Sequence, residues 1–255
     1  MDRLRHQITQ AISHALQPMA CVLAVWKGGS AAFNTEDAYS DIDLNVLLDD
    51  ASPEEPVYAA VQSALGAISP VVATHPQPPG RYFKLQDGGD HLLVDVCLYR
   101  PQNLPECLNT ARHGAILPLF DKGQWLQTPP STQAAQDAAR TQRLRQHQQW
   151  FSISQTFVRK AIARGRHIEA LASFWGYTLK PLVELLRMQH CPARWDFGMR
   201  YLDRDLPAPV YAKLQDLIFV QDPQNLPQHH AQAIQWAEQL LQDLDDGTKL
   251  ALKNN

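Results

Sequence analysis

Two aspartates, Asp41 and Asp43, stand two residues apart in the apolar run DIDLNVLL (41–48), and a third, Asp95, lies within HLLVDVCLYR (91–100). Side chains alternate between the two faces of a strand, so Asp41, Asp43 and Asn45 share one face and Ile42, Leu44 and Val46 the other. In the later run His91, Leu93, Asp95, Cys97 and Tyr99 share a face, and Leu92, Val94, Val96 and Leu98 the opposite one. If the two strands lie side by side with their apolar faces against helices, all three carboxylates meet on the remaining face. Strand residues two apart are separated by about 6.5–7 Å, where two unit charges repel by about 2.4 kcal/mol at an effective dielectric near ~20. A divalent cation removes that repulsion. Three hard oxygen donors, with no neighbouring Cys or His ligand, suit Mg²⁺.

Gly28-Gly29-Ser30 follows the short apolar run CVLAVW (21–26). Glycines at a strand end let main-chain N–H groups approach an anion, and Ser30 can open the next helix while its hydroxyl donates to a phosphate. A phosphate cradle beside a carboxylate triad calls for a nucleoside triphosphate. Each piece alone has an ordinary reading: Gly-Gly-Ser as a turn, D-x-D as a solvated strand start, Asp95 as an exposed strand residue. Their order along the chain is what is specific.

Gly29-Ser30, followed after ten residues by the D-x-D of YSDIDL (39–44), resembles the signature of the polymerase-β-like nucleotidyltransferase superfamily. The branch it is most similar to is the bacterial one holding aminoglycoside and lincosamide nucleotidyltransferases and the small antitoxin-type enzymes. The resemblance runs over about residues 20–100; antitoxin-type members carry arginines soon after the G-S, where this chain has Ala31, Ala32 and Phe33. The resemblance implies that Asp41 and Asp43 hold the nucleotide-bound Mg²⁺ and, with Asp95, a second ion. Asp95 would also deprotonate or position an acceptor hydroxyl. Gly29, Ser30 and Ser40 would contact the nucleotide, with Lys180 and Arg187 of the second half as candidate cations. The implied reaction moves a nucleoside monophosphate, in the first place AMP from ATP, to a hydroxyl of a small molecule such as an aminoglycoside-like antibiotic, releasing pyrophosphate. The alternatives are AMP transfer to a protein or RNA end, and a catalytically silent module that binds nucleotide or a partner.

Composition sets the frame. The 255 residues are 45% hydrophobic and 19% charged, with a formal net charge of −3. That describes a globular protein without the broad positive face that bulk nucleic-acid binding needs. Residues 1–125 hold 8 Lys+Arg against 14 Asp+Glu and the remainder 15 against 12, so the acidic half is the one with the triad. Cys21, Cys97, Cys107 and Cys191 form no C-x-x-C pair, which fits reduced thiols and a cytoplasmic location, and no apolar run reaches the length of a membrane span. The pairs His190-Cys191 and His229-His230 read as loop residues.

The elements that position these groups follow from periodicity. Leu4, Ile8, Ile12 and Leu16 mark an amphipathic helix ended by Pro18; 21–26 and 41–48 read as strands, 53–68 as a helix, and 70–75 as a third strand. RYFKLQ, the turn DGGD (87–90) and 91–100 read as a hairpin. The proline-containing 126–133 reads as a linker between a catalytic domain (1–125) and a helical domain (134–255). The fold expected is therefore an α+β (α/β) domain with a mixed sheet, followed by an all-α bundle. In the bundle, Pro181 should kink or divide the apolar stripe of Leu171, Phe174, Trp175, Thr178, Leu179, Leu182 and Leu186. Glu169 and Glu184 could meet a cationic acceptor, and Tyr39, Tyr82 or Trp175 could stack on a ring.

Overall fold

The computed structural model describes the backbone of residues 2–127 and 133–253. The chain divides into two compact units, 1–132 and 133–255. Of the stretch expected as a linker, 128–132 lie outside the described residues.

The first unit is built on a six-stranded mixed sheet of order β3-β4-β5-β2-β1-β6. Helix α1 (Asp2–Leu16) leads into β1 (Val22–Lys27), a single turn α2 (Gly29–Ala32) and β2 (Ile42–Leu48). Helix α3 (Glu55–Gly66), β3 (Val71–Gln77), β4 (Gly80–Leu85) and β5 (Leu93–Tyr99) follow, then short turns α4 (Leu104–Cys107) and α5 (Thr110–His113) and the edge strand β6 (Leu117–Asp121). All neighbouring strands run antiparallel except β2 and β5, which are parallel. Ile8, Ile12 and Leu16 of α1 and Val57, Val61 and Leu65 of α3 bury one sheet face with Leu44, Val46, Phe83, Val94 and Val96. Burying each such aliphatic side chain contributes about 1.5–3 kcal/mol. The opposite face is covered by a smaller cluster of Ala24, Trp26, Leu47, Leu104 and Leu108, with Trp26 stacked on Tyr99 at 6.0 Å. This cover leaves Asp43 and Asp95 half-buried.

The second unit is helical: α6 (Gln133–Ala163), α7 (His167–Phe174), a π-helical turn (Trp175–Leu179), α8 (Lys180–His190), a short α9 (Leu202–Asp205), α10 (Ala208–Ile218) and α11 (Leu226–Lys253). Pro181 divides the stripe by way of the π turn. It has no N–H for the carbonyl of Tyr177, and the side-chain amide of Gln155 on α6 donates to that oxygen instead, at 2.9 Å. The same Gln155 accepts from Thr178 Oγ1 (2.6 Å) and His230 Nε2 (3.0 Å). His229-His230 therefore lies inside α11 and not in a loop. Burial, with the Arg159 charge adding to it, pushes the His230 imidazole down to about 4, so it packs as a neutral ring edge-on to Phe174. Leu171, placed on the apolar stripe by its spacing, is 40% exposed. Among the described residues no helix is long and apolar enough to cross a membrane.

Candidate functional site

The parallel pairing of β2 with β5 sets Ile42 against Val94 and Asp43 against Asp95. Side chains in register on adjacent strands point to the same side, so the apolar partners go to the helices and the two carboxylates stand together on the other face, one strand spacing of about 4.8 Å apart in backbone. Antiparallel pairing extends this row through Tyr82 of β4, opposite Asp95, to His75 of β3, opposite Tyr82. At the other end, Gly28 N–H donates to the carbonyl of Asp43 at 2.9 Å, which brings the β1–α2 junction against β2.

Gly29 has a φ of +54°, and a Cβ there would overlap the Asp43 carboxylate, so backbone and carboxylate approach in a way only glycine permits. Gly80 plays a similar part for Asp95: a Cβ at Gly80 would lie 2.7 Å from Val96 O, 2.9 Å from Cys97 Sγ and 3.1 Å from Asp95 Oδ1. Burial pushes the Cys97 thiol up to about 12, with the Asp95 charge adding to it. It keeps its hydrogen and donates to Asp95 Oδ1 at 3.7 Å.

Asp41 is used differently. It precedes β2, and its Oδ1 accepts from Leu93 N–H at 3.2 Å, pinning the start of β5 beside the start of β2. Arg5 of α1 reaches its carbonyl and that of Ala38 at 3.5 and 3.4 Å. Among the described residues no group of three or more His, Cys, Asp and Glu is gathered as a metal site. The closed three-carboxylate cage expected from the sequence is thus an in-register pair, Asp43 and Asp95, with Asp41 held at the strand ends. The chemistry of the pair fits a divalent cation: two hard oxygen donors side by side, one of them cradled where a Cβ is missing. A cleft of about 640 Å³ opens beside it, lined by Arg5, Lys27, Glu36, Asp41 and Asp43 among others, and Lys27 Nζ pairs with Glu36 across it at 3.1 Å.

The remaining candidates divide clearly. Ser30 lies in the single turn α2, next to Gly29. Ser40 Oγ donates to Asp37 Oδ1 (2.8 Å) and accepts from Asp37 N–H (2.9 Å), closing the turn before the D-x-D. Tyr39 is 69% exposed, with its ring edge-on to His91 at 5.1 Å. Lys180 is exposed at the start of α8. Arg187, seven residues on, is a correction to the sequence reading: it is 0% exposed and encircled by acceptors, Asp205 Oδ2 (2.6 Å), Gly198 O (2.8 Å), Arg194 O (3.2 Å) and Arg200 O. It anchors the 191–205 segment and offers nothing to a phosphate. Glu184 is likewise bound, to Arg143 (2.6 Å) and His147 (2.8 Å), and presents no open carboxylate to a cationic acceptor. Trp175 packs, partly buried, on the helical core. Sequence reasoning gave no role to Gly80 or Cys97. The spacing of Cys97 from Asp95 on one strand face was the available signal for one of them, whereas Gly80 becomes visible only through pairing.

No protein-family model and no curated protein matches the chain. Among solved structures it is similar to an aminoglycoside 6-adenyltransferase from Bacillus subtilis, at 10% identity over 96% of this chain and 91% of that one, with a TM-score of 0.34. It is similar to spectinomycin adenyltransferase AAD(9) from Enterococcus faecialis, solved with ATP and spectinomycin, at 8% identity over 94% and 90%, with a TM-score of 0.41. A nucleotidyltransferase-like protein from Exiguobacterium sibiricum is a third, at 15% identity over 93% and 74%, with a TM-score of 0.38.

Proposed function

We propose that the first unit is a nucleotidyltransferase that moves a nucleoside monophosphate, AMP from ATP in the first instance, to a hydroxyl of a small molecule. The observation that carries this reading is the in-register pair Asp43 and Asp95 on the half-covered face of parallel strands, with the Gly28-Gly29-Ser30 junction pressed against one end. Two carboxylates side by side offer a divalent cation a ready pair of hard oxygen donors. The match of Gly29-Ser30 and YSDIDL to the superfamily signature supports the same chemistry.

In this reaction the acceptor O–H gives its proton to Asp95 as the new O–P bond forms at the α-phosphorus, and the bond from that phosphorus to the bridging oxygen breaks, releasing pyrophosphate. Gly29 and Ser30 bind the outgoing phosphates, so leaving group and nucleophile lie at opposite ends of the carboxylate pair, as in-line displacement requires. Asp43 and Asp95 would hold Mg²⁺, two ions when nucleotide is present, with Asp41 able to join through its second oxygen. Bound Mg²⁺ supplies neutralisation of the charge that builds on the phosphate oxygens. The chain's own part is to orient: Cys97 fixes the Asp95 carboxylate, Gly29 admits the Asp43 carboxylate, and no covalent intermediate is needed.

The test is incubation with labelled ATP, Mg²⁺ and an array of hydroxyl-bearing acceptors, reading pyrophosphate release. Release that depends on an acceptor and disappears in Asp95→Asn supports the assignment. Release that persists in Asp95→Asn removes Asp95 from it, and no release with any acceptor, together with no ATP binding, overturns the reading.

A further inference from the structure

His230 is a buried histidine for which nucleotidyl transfer has no use. It sits one turn into α11, 4% exposed, with its Nε2 3.0 Å from Gln155 Oε1. The amide fixes the tautomer. Gln155 Nε2 donates to the carbonyls of Phe151 (3.0 Å) and Tyr177 (2.9 Å), which turns Oε1, an acceptor only, towards Thr178 and His230. His230 Nε2 therefore carries the ring hydrogen, and Nδ1 is a bare lone pair. Among the described residues no group donates to that lone pair. The ring lines an open groove of about 450 Å³ between α6 and α11, wholly within the helical unit.

We infer that this groove binds a small aromatic acid: a flat ring that carries an N–H or O–H donor and a short carboxylate arm. The inference does not depend on the nucleotidyl-transfer reading. Nδ1 calls for a donor, because a buried acceptor left without one forfeits the hydrogen bond it had with water. Beside it, Ile162 and Ile234 line the groove with apolar surface, while the small side chains of Ala163 and Ala231 leave space for a ring. A groove of this size is of the order that holds a small organic molecule. Charge then sets the direction of the acid. Arg159, one turn on from Gln155, lines the same groove, is exposed, and has no hydrogen bond or ion pair among the described residues. Its charge already acts on the His230 ring. Glu238, two turns beyond His230 along α11, repels an acid from the other end. A donor received at Nδ1 also strengthens the donation of Nε2–H to Gln155, the side chain that satisfies Tyr177 O in the π-helical turn. Occupancy of the groove therefore stabilises the helical unit.

The experiment uses the full-length protein without nucleotide or metal and two acids, indole-3-acetate and 4-hydroxyphenylacetate. Binding is read by calorimetry, by the nitrogen NMR signals of the His230 ring and by thermal unfolding. At least one acid should bind, shift the Nδ1 signal and raise Tm. The same acid with its donor methylated should bind about tenfold more weakly, and its analogue lacking the carboxylate about threefold more weakly. Arg159→Gln, a change at an exposed position, should reduce the acid to the affinity of that analogue and leave the analogue itself unaffected. Ala231→Phe, which fills the groove, should abolish binding of all of them. If neither acid moves the His230 ring or Tm, the proposal is overturned. It is equally overturned if methylated and unmethylated forms bind alike, or if Arg159→Gln and Ala231→Phe fold by circular dichroism yet bind the acid as wild type does.

Discussion

The two units treat charge in opposite ways. In the helical unit Arg187 is wholly enclosed but surrounded by acceptors, one of them the carboxylate of Asp205, which is also bound by Arg194. Glu184 is similarly bracketed by Arg143 and His147. In the sheet unit Asp43 and Asp95 are set beside each other, like charge against like, on a half-covered face. The first arrangement stabilises a fold and resists any exchange of partner. The second sets two hard oxygen donors in register on adjacent strands, the arrangement a divalent cation would bridge. A charged side chain thus reveals its role through what surrounds it more than through its type.

The contrast can be broken at either end. The largest effect is expected in the sheet unit: Asp43→Asn should cut nucleotidyl transfer about a thousandfold, with the fold retained. A fall in Tm with transfer intact would reverse the assignment of roles. In the helical unit Arg187→Met should cost about 3–5 kcal/mol of unfolding free energy, since it leaves Asp205 buried with less to hold it. Denaturant unfolding followed by the tryptophans of that unit measures this, and an unchanged midpoint would contradict the structural role. Gly29→Ala should lower transfer about a hundredfold through displacement of the Asp43 carboxylate, visible as lost kcat with the fold retained.

A smaller effect depends on pH. Burial pushes the Glu184 carboxyl up, but the hydrogen bonds from His147 and Arg143 outweigh it and hold the group down at about 2, below its usual 4.5. A folded pKa below the unfolded one means the stabilisation is complete above about pH 4.5 and is lost as pH falls towards 2, here about 1–3 kcal/mol. Glu184→Gln should flatten that acid limb of the stability profile of the helical unit; an unaltered limb would remove Glu184 as its source. The smallest effect is at Lys180, exposed at the start of α8: Lys180→Ala should change stability by less than about 0.5 kcal/mol, and its ATP KM shows whether the side chain meets phosphate.

The legible part of the molecule was where local pattern and tertiary outcome agree. The alternation in 41–48 and 91–100 identified the face that Asp43 and Asp95 occupy, and the fourfold spacing of Leu4, Ile8, Ile12 and Leu16 identified α1. What local pattern does not carry is the identity of partners distant in the chain. Asp41 and Asp43 share a strand face, yet the N–H of Leu93, 52 residues from Asp41, takes one and not the other. Lys180 and Arg187 are seven apart on one helix, but the 191–205 segment folds over only the second. His229-His230 reads as polar loop until Gln155, 75 residues from His230, supplies an acceptor inside the core. β6, with Pro118 as its second residue, lacks the pattern of a strand and exists because edge pairing with β1 asks little of that proline.

The central claim is that Asp43 and Asp95 act as one ligand pair. Paramagnetic titration of Mn²⁺ with a non-hydrolysable ATP analogue, in the wild type and in Asp43→Asn and Asp95→Asn, tests it most directly. The account predicts ternary binding in the wild type and at least about a tenfold loss in each single variant. Equal Mn²⁺ and nucleotide affinity in all three proteins would contradict it.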